Sequence, residues 1–390
     1  MKKIQRTGRQ PLPALTGLRF LAALYVVGFH YAPPLQHGAD VFMSAGYSAV
    51  SLFFCLSGFV LAYNYLDVER DAITVDRGRF WLSRFARVYP AYLLALAVTA
   101  PIFISRMMEG ADSILRVLGR AGVFGGMCLA LLQSWSPKAA LLWNFPGWSL
   151  ATEAFFYAMF PLLATCLLPQ WKTPRALLSA MVVLWVIAQI PPVLYLILDP
   201  ENIGPAAYTG VFSGAFDGVW MRLVRFNPLC RLAEFVMGMC LGKLFLLRPM
   251  RGNWSGVSFT ALCVALACGE YLPFPMLHNG LLAPLMCVLI VALAVGKGPF
   301  DRILSTRAFQ LAGEASYSFY ILQLPVWIAF AYFTGMDHQT YGLGGFSLYV
   351  ATLLIISAAV HRFVETPAKR AILSLSSAST KTRHHSAVAA

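Results

Sequence analysis

The sequence predicts an all-α integral membrane protein, a polytopic bundle of about ten transmembrane helices with its N- and C-termini in the cytoplasm. Of the 390 residues, 58% are hydrophobic and only 12% are charged, which is about half the charged fraction of a soluble domain. Apolar segments long enough to cross a bilayer recur along the whole chain. Basic residues lie in the connections between them, as cytoplasmic loops require.

Ten apolar segments account for the predicted spans in chain order. They cover residues 13–32, 46–66, 88–107, 148–168, 176–198, 229–247, 256–272, 279–296, 315–334 and 344–363. The leader, 1–12, is basic and places the N-terminus in the cytoplasm. The later basic connections occur after every second span, on the same side of the membrane as the leader. The membrane region, 13–370, is therefore predicted to end on that side too. The tail, 371–390, is predicted to be a disordered cytoplasmic segment.

Two connections need separate treatment. Residues 121–135 are apolar but short for a crossing, which takes about 20 residues. A re-entrant or interfacial segment is favoured, because a further span would move the later basic loops outside; a span remains the alternative. Residues 199–228 are rich in Gly and Pro and form the longest predicted external loop.

The net charge of +13 does not indicate nucleic-acid binding. The charge is divided among the loops, and no basic face interleaved with aromatic residues is present. The eight cysteines lack CxxC or Cys/His spacing, so they are interpreted as small hydrophobic residues and no metal site is predicted.

The first span contains two ionisable residues, Arg19 and His30. They are eleven positions apart, which places them on nearly the same helix face and about 16 Å apart along the axis. Ionisable residues inside a membrane are costly and usually functional. We therefore expect both to face the bundle interior, with His30 nearer the outer surface. The alternative is that Arg19 extends to the interface and His30 lies at the span's end.

A carboxylate is predicted to reach the same outer half of the membrane. Glu153 lies about one and a half turns into the span that begins near residue 148. A histidine and a carboxylate in a dehydrated cavity form a plausible general-base pair, in which the acid orients the ring. The alternative is a Glu that caps a helix end or pairs with an arginine.

Two further features could serve a substrate. Arg84 and Arg87 are three residues apart on a predicted short helix at the cytoplasmic surface, where neighbouring guanidiniums can clamp a phosphate. The alternative is charge that sets topology beside anionic lipid. Ser57 and Gly58 lie in the middle of the second span and offer a hydroxyl and a close helix approach.

Seven stretches together resemble the bacterial membrane acyltransferase-3 family, in the family's order and from about residue 13 to about 370. They are "LTGLRFLAALYVVGFHY", "FFCLSGF", "RFARVYP", "PGWSLATEAFFYAMFP", "NPLCRLAEFVMGMCLG", "EASYSFYILQLPV" and "HRFVETPAKR". The resemblance implies a membrane O-acyltransferase of the class that transfers groups other than amino-acyl groups. Its implied donor is acyl-CoA, most often acetyl-CoA, with no permanently bound cofactor.

The resemblance also implies which residues act. His30, Arg19 and Glu153 correspond to catalytic positions. The implied substrate-binding residues are Arg84, Arg87, Ser57, Trp148, Ser149, Tyr317 and Gln323. Two positions depart from the common pattern: Ala154 replaces a second acid, and Gln323 replaces a histidine. An amide therefore stands where the family commonly has an imidazole.

The implied acceptor is a hydroxyl of a cell-surface or exported glycan, such as exopolysaccharide or lipopolysaccharide, and a glycosylated small molecule is the alternative. The expected partners are membrane lipid, acyl-CoA, the glycan acceptor and proteins of polysaccharide assembly, in the bacterial inner membrane. In the predicted reaction His30 takes the acceptor proton, while Arg19 stabilises the oxyanion or holds the pantetheine. A covalent acyl-enzyme remains open, and a proton-coupled transporter is the rival from another class.

Overall fold

The computed structural model describes residues 9–35, 39–204, 218–248, 250–336 and 341–375. The helices in these ranges are α1 (Pro13–Tyr31), α2 (Ala39–Ser44), α3 (Ala49–Tyr65), α4 (Arg77–Met108), α5 (Ile114–Leu129), α6 (Gly147–Leu162), α7 (Pro174–Leu198), α8 (Val219–Phe226), α9 (Pro228–Leu247), α10 (Ser255–Ala267), α11 (Phe274–His278), α12 (Ala283–Val295), α13 (Pro299–Leu304), α14 (Arg307–Glu314), α15 (Ser316–Ile321), α16 (Gln323–Thr334) and α17 (Gly342–Val360). Two short antiparallel strands, β1 (Leu66–Asp67) and β2 (Ala72–Ile73), connect α3 to α4.

Side-chain caps begin several of the long helices. Asp76 accepts a hydrogen bond from the backbone of Arg79 at the start of α4, and Thr173 does the same for α7, where Pro174 follows as the first helical residue. Asn227 caps α9 in the same way, again followed by a proline. These caps satisfy backbone N–H groups that a helix leaves unpaired in its first turn.

Helices α3 and α9 form the closest backbone contact at the centre of the bundle. A Cβ atom on Gly58 would lie 2.1 Å from the carbonyl oxygen of Phe235, and one on Gly238 would lie 2.0 Å from that of Cys55. Only glycine allows the two backbones this near approach, which maximises van der Waals packing inside a membrane. The close helix approach predicted at Ser57 and Gly58 is therefore present.

The all-α membrane architecture is confirmed in its general form. Within the residues that the structure describes, seven helical stretches are long and apolar enough to cross a membrane: 13–31, 39–65, 77–108, 147–170, 174–198, 274–295 and 342–375. Three predicted spans differ. Helix α9 carries buried charges, α10 has only 13 residues, and residues 307–334 are divided among α14, α15 and α16. Length and composition alone therefore support seven crossings rather than ten.

Apolar side chains on the outside of the bundle match a lipid environment. On α7, the side chains of Val182, Val183 and Ile197 are 60%, 56% and 73% exposed. A soluble protein rarely exposes such a continuous apolar surface. The hydrocarbon core of a bilayer can cover it without cost, because lipid tails are as apolar as these side chains.

One local prediction is corrected. Arg84 and Arg87 do not lie on a separate short surface helix, because α4 runs unbroken from Arg77 to Met108 through Pro90 and Pro101. Proline is tolerated inside membrane helices when the freed carbonyl finds another partner. The segment 121–135, predicted to be re-entrant or interfacial, contains the second half of α5, which runs from Ile114 to Leu129, and the residues that follow it.

The C-terminal helix extends further than predicted. After α17 a π-helical turn, His361–Glu365, leads into helix that continues to Leu375. Residues 371–375 are thus helical, although they were expected to belong to a disordered tail. Residues 376–390, most of the leader and residues 205–217 of the predicted external loop lie outside the described residues.

Candidate active site

Three cavities lie one after another beside α1. The first, called here the Arg9 cavity, has a volume of about 650 Å³ and extends to Arg19. The second, the Glu153 cavity, measures about 660 Å³ and is also lined by Arg19. The third, the His30 cavity, measures about 970 Å³ and shares Val50 and Tyr320 with the second. The shared lining residues show that each cavity is the neighbour of the next.

Arg9 closes one side of its cavity. Its guanidinium donates to the backbone carbonyls of Tyr63 and Leu66, at the C-terminal end of α3. A cation at a helix C-terminus satisfies carbonyls that have no partner within the helix. Burial lowers the pKa of Arg9 below its usual value, which is so high that the group stays charged at neutral pH.

Arg19 lies where the Arg9 and Glu153 cavities meet. Arg84 and Arg87, from α4, are its positive electrostatic neighbours, and Glu153 is the negative one. Neither Arg19 nor Arg87 has a hydrogen-bond or ion-pair partner among the described residues. Two half-buried guanidiniums without protein acceptors therefore line the same cavity, a geometry suited to binding an anion.

Arg84 is held more firmly than its two neighbours. Its guanidinium donates to the Tyr65 hydroxyl at 2.9 Å and lies over the rings of Tyr65, Phe80 and Tyr157. Its buried Nε atom has no partner within the described part of the chain. The cation–π contacts fix the plane of the guanidinium without using most of its donors.

Glu153 is bonded to Ser57 and Tyr157 rather than to His30. The Ser57 hydroxyl donates to Glu153 Oε1 at 2.8 Å, and the Tyr157 hydroxyl donates to the same oxygen at 2.5 Å. Glu153 lines the cavity that contains Arg19, and His30 lines the next one. The expected His30–Glu153 pair is therefore corrected, and the carboxylate faces the guanidiniums instead.

The loop before α6 is buried inside the bundle. Gln133, Ser134 and Asn144 are each less than 5% exposed, and the Gln133 amide donates to the carbonyl of Gly147 at 2.9 Å. The chain thus folds into the bundle before α6 begins. The start of α6 is thus packed inside the bundle, so turns counted from the helix start do not show which side chains Glu153 meets.

His30 is oriented by Gln323. The Gln323 amide nitrogen donates to the carbonyl of Tyr320 at 2.7 Å, so its oxygen faces His30 Nδ1 at 3.0 Å. An amide oxygen can only accept, which places the hydrogen of a neutral imidazole on Nδ1 and the lone pair on Nε2. Gln323 therefore performs the orienting role that had been expected of Glu153 or another group.

The remaining predicted site residues divide between two cavities. Ser149 and Tyr317 line the Glu153 cavity, where Ser149 shares a hydrogen bond of 2.8 Å with Tyr320 and Tyr317 donates to the carbonyl of Val88 at 2.6 Å. Trp148 lines the His30 cavity. Consecutive residues at the start of α6 therefore serve different cavities.

Several cavity residues were missed by the sequence analysis. His278 and Arg225 line the His30 cavity, and Arg231 and Glu234 form a buried pair behind it. The pair was detectable, since both residues lie inside the predicted apolar span 229–247. His278 gave no comparable signal, because it comes just before the predicted span 279–296.

The arrangement is suited to binding an anion in one cavity and to transferring a proton in the next. The Glu153 cavity offers guanidiniums to an anion, and the His30 cavity offers an oriented imidazole for proton transfer. Among the described residues, no cluster of three or more His, Cys, Asp or Glu side chains could hold a metal ion.

Comparisons with known proteins agree with the seven sequence stretches. A family model described as an acyltransferase domain matches residues 12–361. The chain is 28% identical over 330 residues to acyltransferase MdmB of Streptomyces mycarofaciens. The aligned region covers 81% of this chain and 79% of that protein. It is 36% identical over 155 residues to protein 2 in the picA locus of Rhizobium radiobacter, covering 37% of this chain and 78% of that one.

A third relative is longer than this chain. The peptidoglycan O-acetyltransferase OatA of Listeria monocytogenes serovar 1/2a is 25% identical over 393 residues, covering 95% of this chain and 58% of that protein. The chain thus corresponds to little more than half the length of that relative. No solved structure matches the chain.

Proposed function

The chain belongs to the acyltransferase family and is an acyltransferase, and we propose that it transfers an acyl group from acyl-CoA to a hydroxyl of a cell-surface or exported glycan. Acetyl is the proposed group. The single observation that carries the proposal is the series of cavities beside α1, which extends from unpaired arginines to an oriented histidine.

Acyl-CoA is the proposed donor because its chemistry fits the arginine side of this series. The CoA nucleotide carries phosphates. Arg19 and Arg87 line the Glu153 cavity together with one carboxylate, Glu153, and Arg84 is a further positive neighbour of Arg19 behind this lining. Three guanidiniums against one carboxylate leave an excess of positive charge. Charge-assisted hydrogen bonds to phosphate contribute more than neutral ones.

The thioester is proposed to pass Ser57 and Glu153 and reach the His30 cavity. There His30 Nε2 accepts the proton of the acceptor hydroxyl while its oxygen attacks the thioester carbonyl. The carbon–sulfur bond then breaks, and the thiolate of CoA takes up the proton. Gln323 supports this step by holding the hydrogen on Nδ1, which keeps Nε2 basic.

A surface glycan is the proposed acceptor for two reasons. The Listeria relative is named for peptidoglycan O-acetylation. Aromatic side chains also line the His30 cavity, where Tyr47, Phe145 and Trp148 form an apolar wall against which a sugar ring could pack. Exopolysaccharide and lipopolysaccharide are the leading acceptors, with a glycosylated small molecule as the alternative.

The proposed location is the bacterial inner membrane, with ten crossings and both termini in the cytoplasm. The basic connections between apolar segments support this orientation. Helix α9 would cross inside the bundle, where its charges pair, and the broken helices 307–334 would cross together. Proteins of polysaccharide assembly are the proposed partners on the outer side.

The proposal is tested on the full chain in lipid nanodiscs, with radiolabelled acetyl-CoA and glycan extracted from cells that lack the chain. Label should appear covalently on the glycan, and His30→Ala should lower transfer about 100-fold or more, since it removes the general base. Size-exclusion chromatography checks that this variant remains folded. Near-normal transfer by His30→Ala would contradict the mechanism, and movement of an unmodified substrate across vesicles would favour the transporter.

A further inference from the structure

A second histidine faces the cavity that contains His30. His278 is the last residue of α11, is only 1% exposed and lines the His30 cavity. Its ring stacks on Tyr47, with centroids 5.5 Å apart and planes inclined by 14°, and lies 5.8 Å from the ring of Trp148. The aromatic neighbours fix the plane of this imidazole.

Arg231 fixes the tautomer of His278. Its Nη1 atom lies 2.7 Å from His278 Nδ1. Asn279 Oδ1, an acceptor, also lies 3.2 Å from Nδ1, but the guanidinium is closer and has only donors. Nδ1 therefore accepts from Arg231, and the hydrogen of the neutral ring is on Nε2. No group among the described residues is hydrogen-bonded to that Nε2 atom. His278 thus holds an N–H donor at the wall of the cavity.

Arg231 is itself immobilised, since every one of its five N–H donors has an acceptor. Besides His278 Nδ1, these acceptors are both carboxylate oxygens of Glu234, the Ser51 hydroxyl and the carbonyl of Arg225. A buried ion pair costs solvation and is tolerated only when such hydrogen bonds satisfy it. The network therefore holds one imidazole nitrogen as an acceptor, leaving the other as a donor.

The two imidazoles of this cavity consequently have opposite tautomers. Gln323 leaves the lone pair of His30 on Nε2, and Arg231 leaves the hydrogen of His278 on Nε2. One ring can accept a proton and the other can donate a hydrogen bond. Arg19, the residue expected to stabilise an oxyanion, lines the other two cavities instead.

We propose that His278 is a catalytic residue whose Nε2–H stabilises the oxyanion of the acyl-transfer intermediate. This inference rests on the proposed function. The acceptor oxygen bonds to the thioester carbonyl carbon and gives its proton to His30 Nε2. The carbonyl π electrons move to oxygen, which accepts the hydrogen bond from His278. The carbonyl then re-forms, the carbon–sulfur bond breaks and the CoA sulfur takes the proton from His30.

Two substitutions separate this role from a structural one. His278→Asn places an amide oxygen where Nδ1 lies, so it preserves the acceptor for Arg231 but removes the donor at Nε2. His278→Gln places an amide nitrogen near the position of Nε2 and weakens the contact with Arg231. If His278 only supports the structure, the His278→Asn variant should be the more active of the two. If His278 donates to the oxyanion, the His278→Gln variant should be the more active.

The matched control is Gln189→Leu. Gln189, from α7, donates to the carbonyl of Asn279 at 2.9 Å, next to His278, but is not among the residues that line the cavity. Its loss loosens the same turn without removing the donor. All variants are compared as full chains in nanodiscs, with radiolabelled acetyl-CoA as donor and extracted glycan as acceptor.

We expect His278→Asn to lower kcat about 100-fold to 1,000-fold, as loss of one oxyanion donor does elsewhere, with the KM for acetyl-CoA changed less than about threefold. The kcat of His278→Gln should be at least about tenfold higher than that of His278→Asn. The kcat of Gln189→Leu should stay near that of the parent chain.

The inference is overturned if His278→Asn keeps kcat within about threefold of the parent, if Gln is no better than Asn, or if Gln189→Leu loses as much as His278→Asn. A parent chain that transfers no label would instead overturn the proposed function, and this inference with it.

Discussion

Single guanidiniums define the proposed donor site. Arg19 and Arg87 face a cavity without a protein acceptor, and Arg84 uses one donor on Tyr65. A guanidinium taken out of water needs hydrogen-bond acceptors to offset the loss of solvation. A bound phosphate would supply them, so in the proposed reaction these residues would act on donor affinity rather than in the chemical step.

We expect the double variant Arg84→Ala/Arg87→Ala to raise the KM for acyl-CoA at least about tenfold, because each charge-assisted hydrogen bond contributes about 1.5–3 kcal/mol. The fall in kcat should be smaller, since neither residue lines the His30 cavity. Initial rates measured against acyl-CoA concentration separate the two effects.

The matched control for that experiment is Arg116→Ala. Arg116 lies on α5, is 57% exposed and pairs with Asp112 at 2.8 Å. Its loss removes the same type of side chain from a place outside the three cavities, so the KM should not change. A double variant with an unaltered KM would contradict the phosphate clamp.

Helices α3 and α9 pack closely against each other and also carry residues of the candidate active site. Ser57 of α3 binds Glu153, and Ser51, on the same helix, belongs to the Arg231–Glu234 network of α9. The glycines between the two helices set their distance. A small shift of α9 against α3 would therefore alter the hydrogen bonds that hold Arg231.

Gly58→Ala should lower the thermal unfolding midpoint in detergent. The added Cβ would meet the Phe235 carbonyl oxygen at 2.1 Å, so the backbones must separate, at a cost of about 1–3 kcal/mol. Fluorescence-detected thermal unfolding measures the change.

Gly122→Ala serves as its control, because a Cβ on this α5 glycine has no atom within 4 Å. Alanine there should leave the midpoint unchanged or raise it, since alanine favours helix more than glycine does. Equal midpoints for Gly58→Ala and the parent would show that the helices tolerate a wider spacing.

At the scale of the whole molecule, the number of crossings determines on which side the chain ends. In the described part of the chain, seven helical stretches meet the length and hydropathy requirement. An odd number of crossings would put the termini on opposite sides. The proposed ten crossings keep both in the cytoplasm. The difference depends on how α9, α10 and the broken helices 307–334 cross.

A reporter enzyme that is active only outside the cytoplasm tests this topology. Alkaline phosphatase fused after Leu35 should be active, and the same enzyme fused after Leu375 should be inactive, because ten crossings return the chain to the cytoplasm. Immunoblotting controls for equal amounts of the fusions. Activity after Leu375 would indicate an odd number of crossings.

The sequence by itself determined the class of the molecule. The share of apolar residues fixes a membrane environment, and the helical period alone places Arg19 and His30 on one face of α1. The order of the seven stretches indicated the acyltransferase family, which the family model confirms. These are local properties, or sums over the chain, that do not depend on how helices pack.

Only the tertiary structure decided which side chains meet. His30 bonds to Gln323, 293 positions away, and Glu153 bonds to Ser57, 96 positions away. Such pairs depend on how the helices pack against one another, and this packing places Glu153 in the same cavity as Arg19 and Arg87. Hydrogen bonds across the bundle also determine that His278 lines the His30 cavity. The local sequence pattern does not show which cavity an imidazole faces.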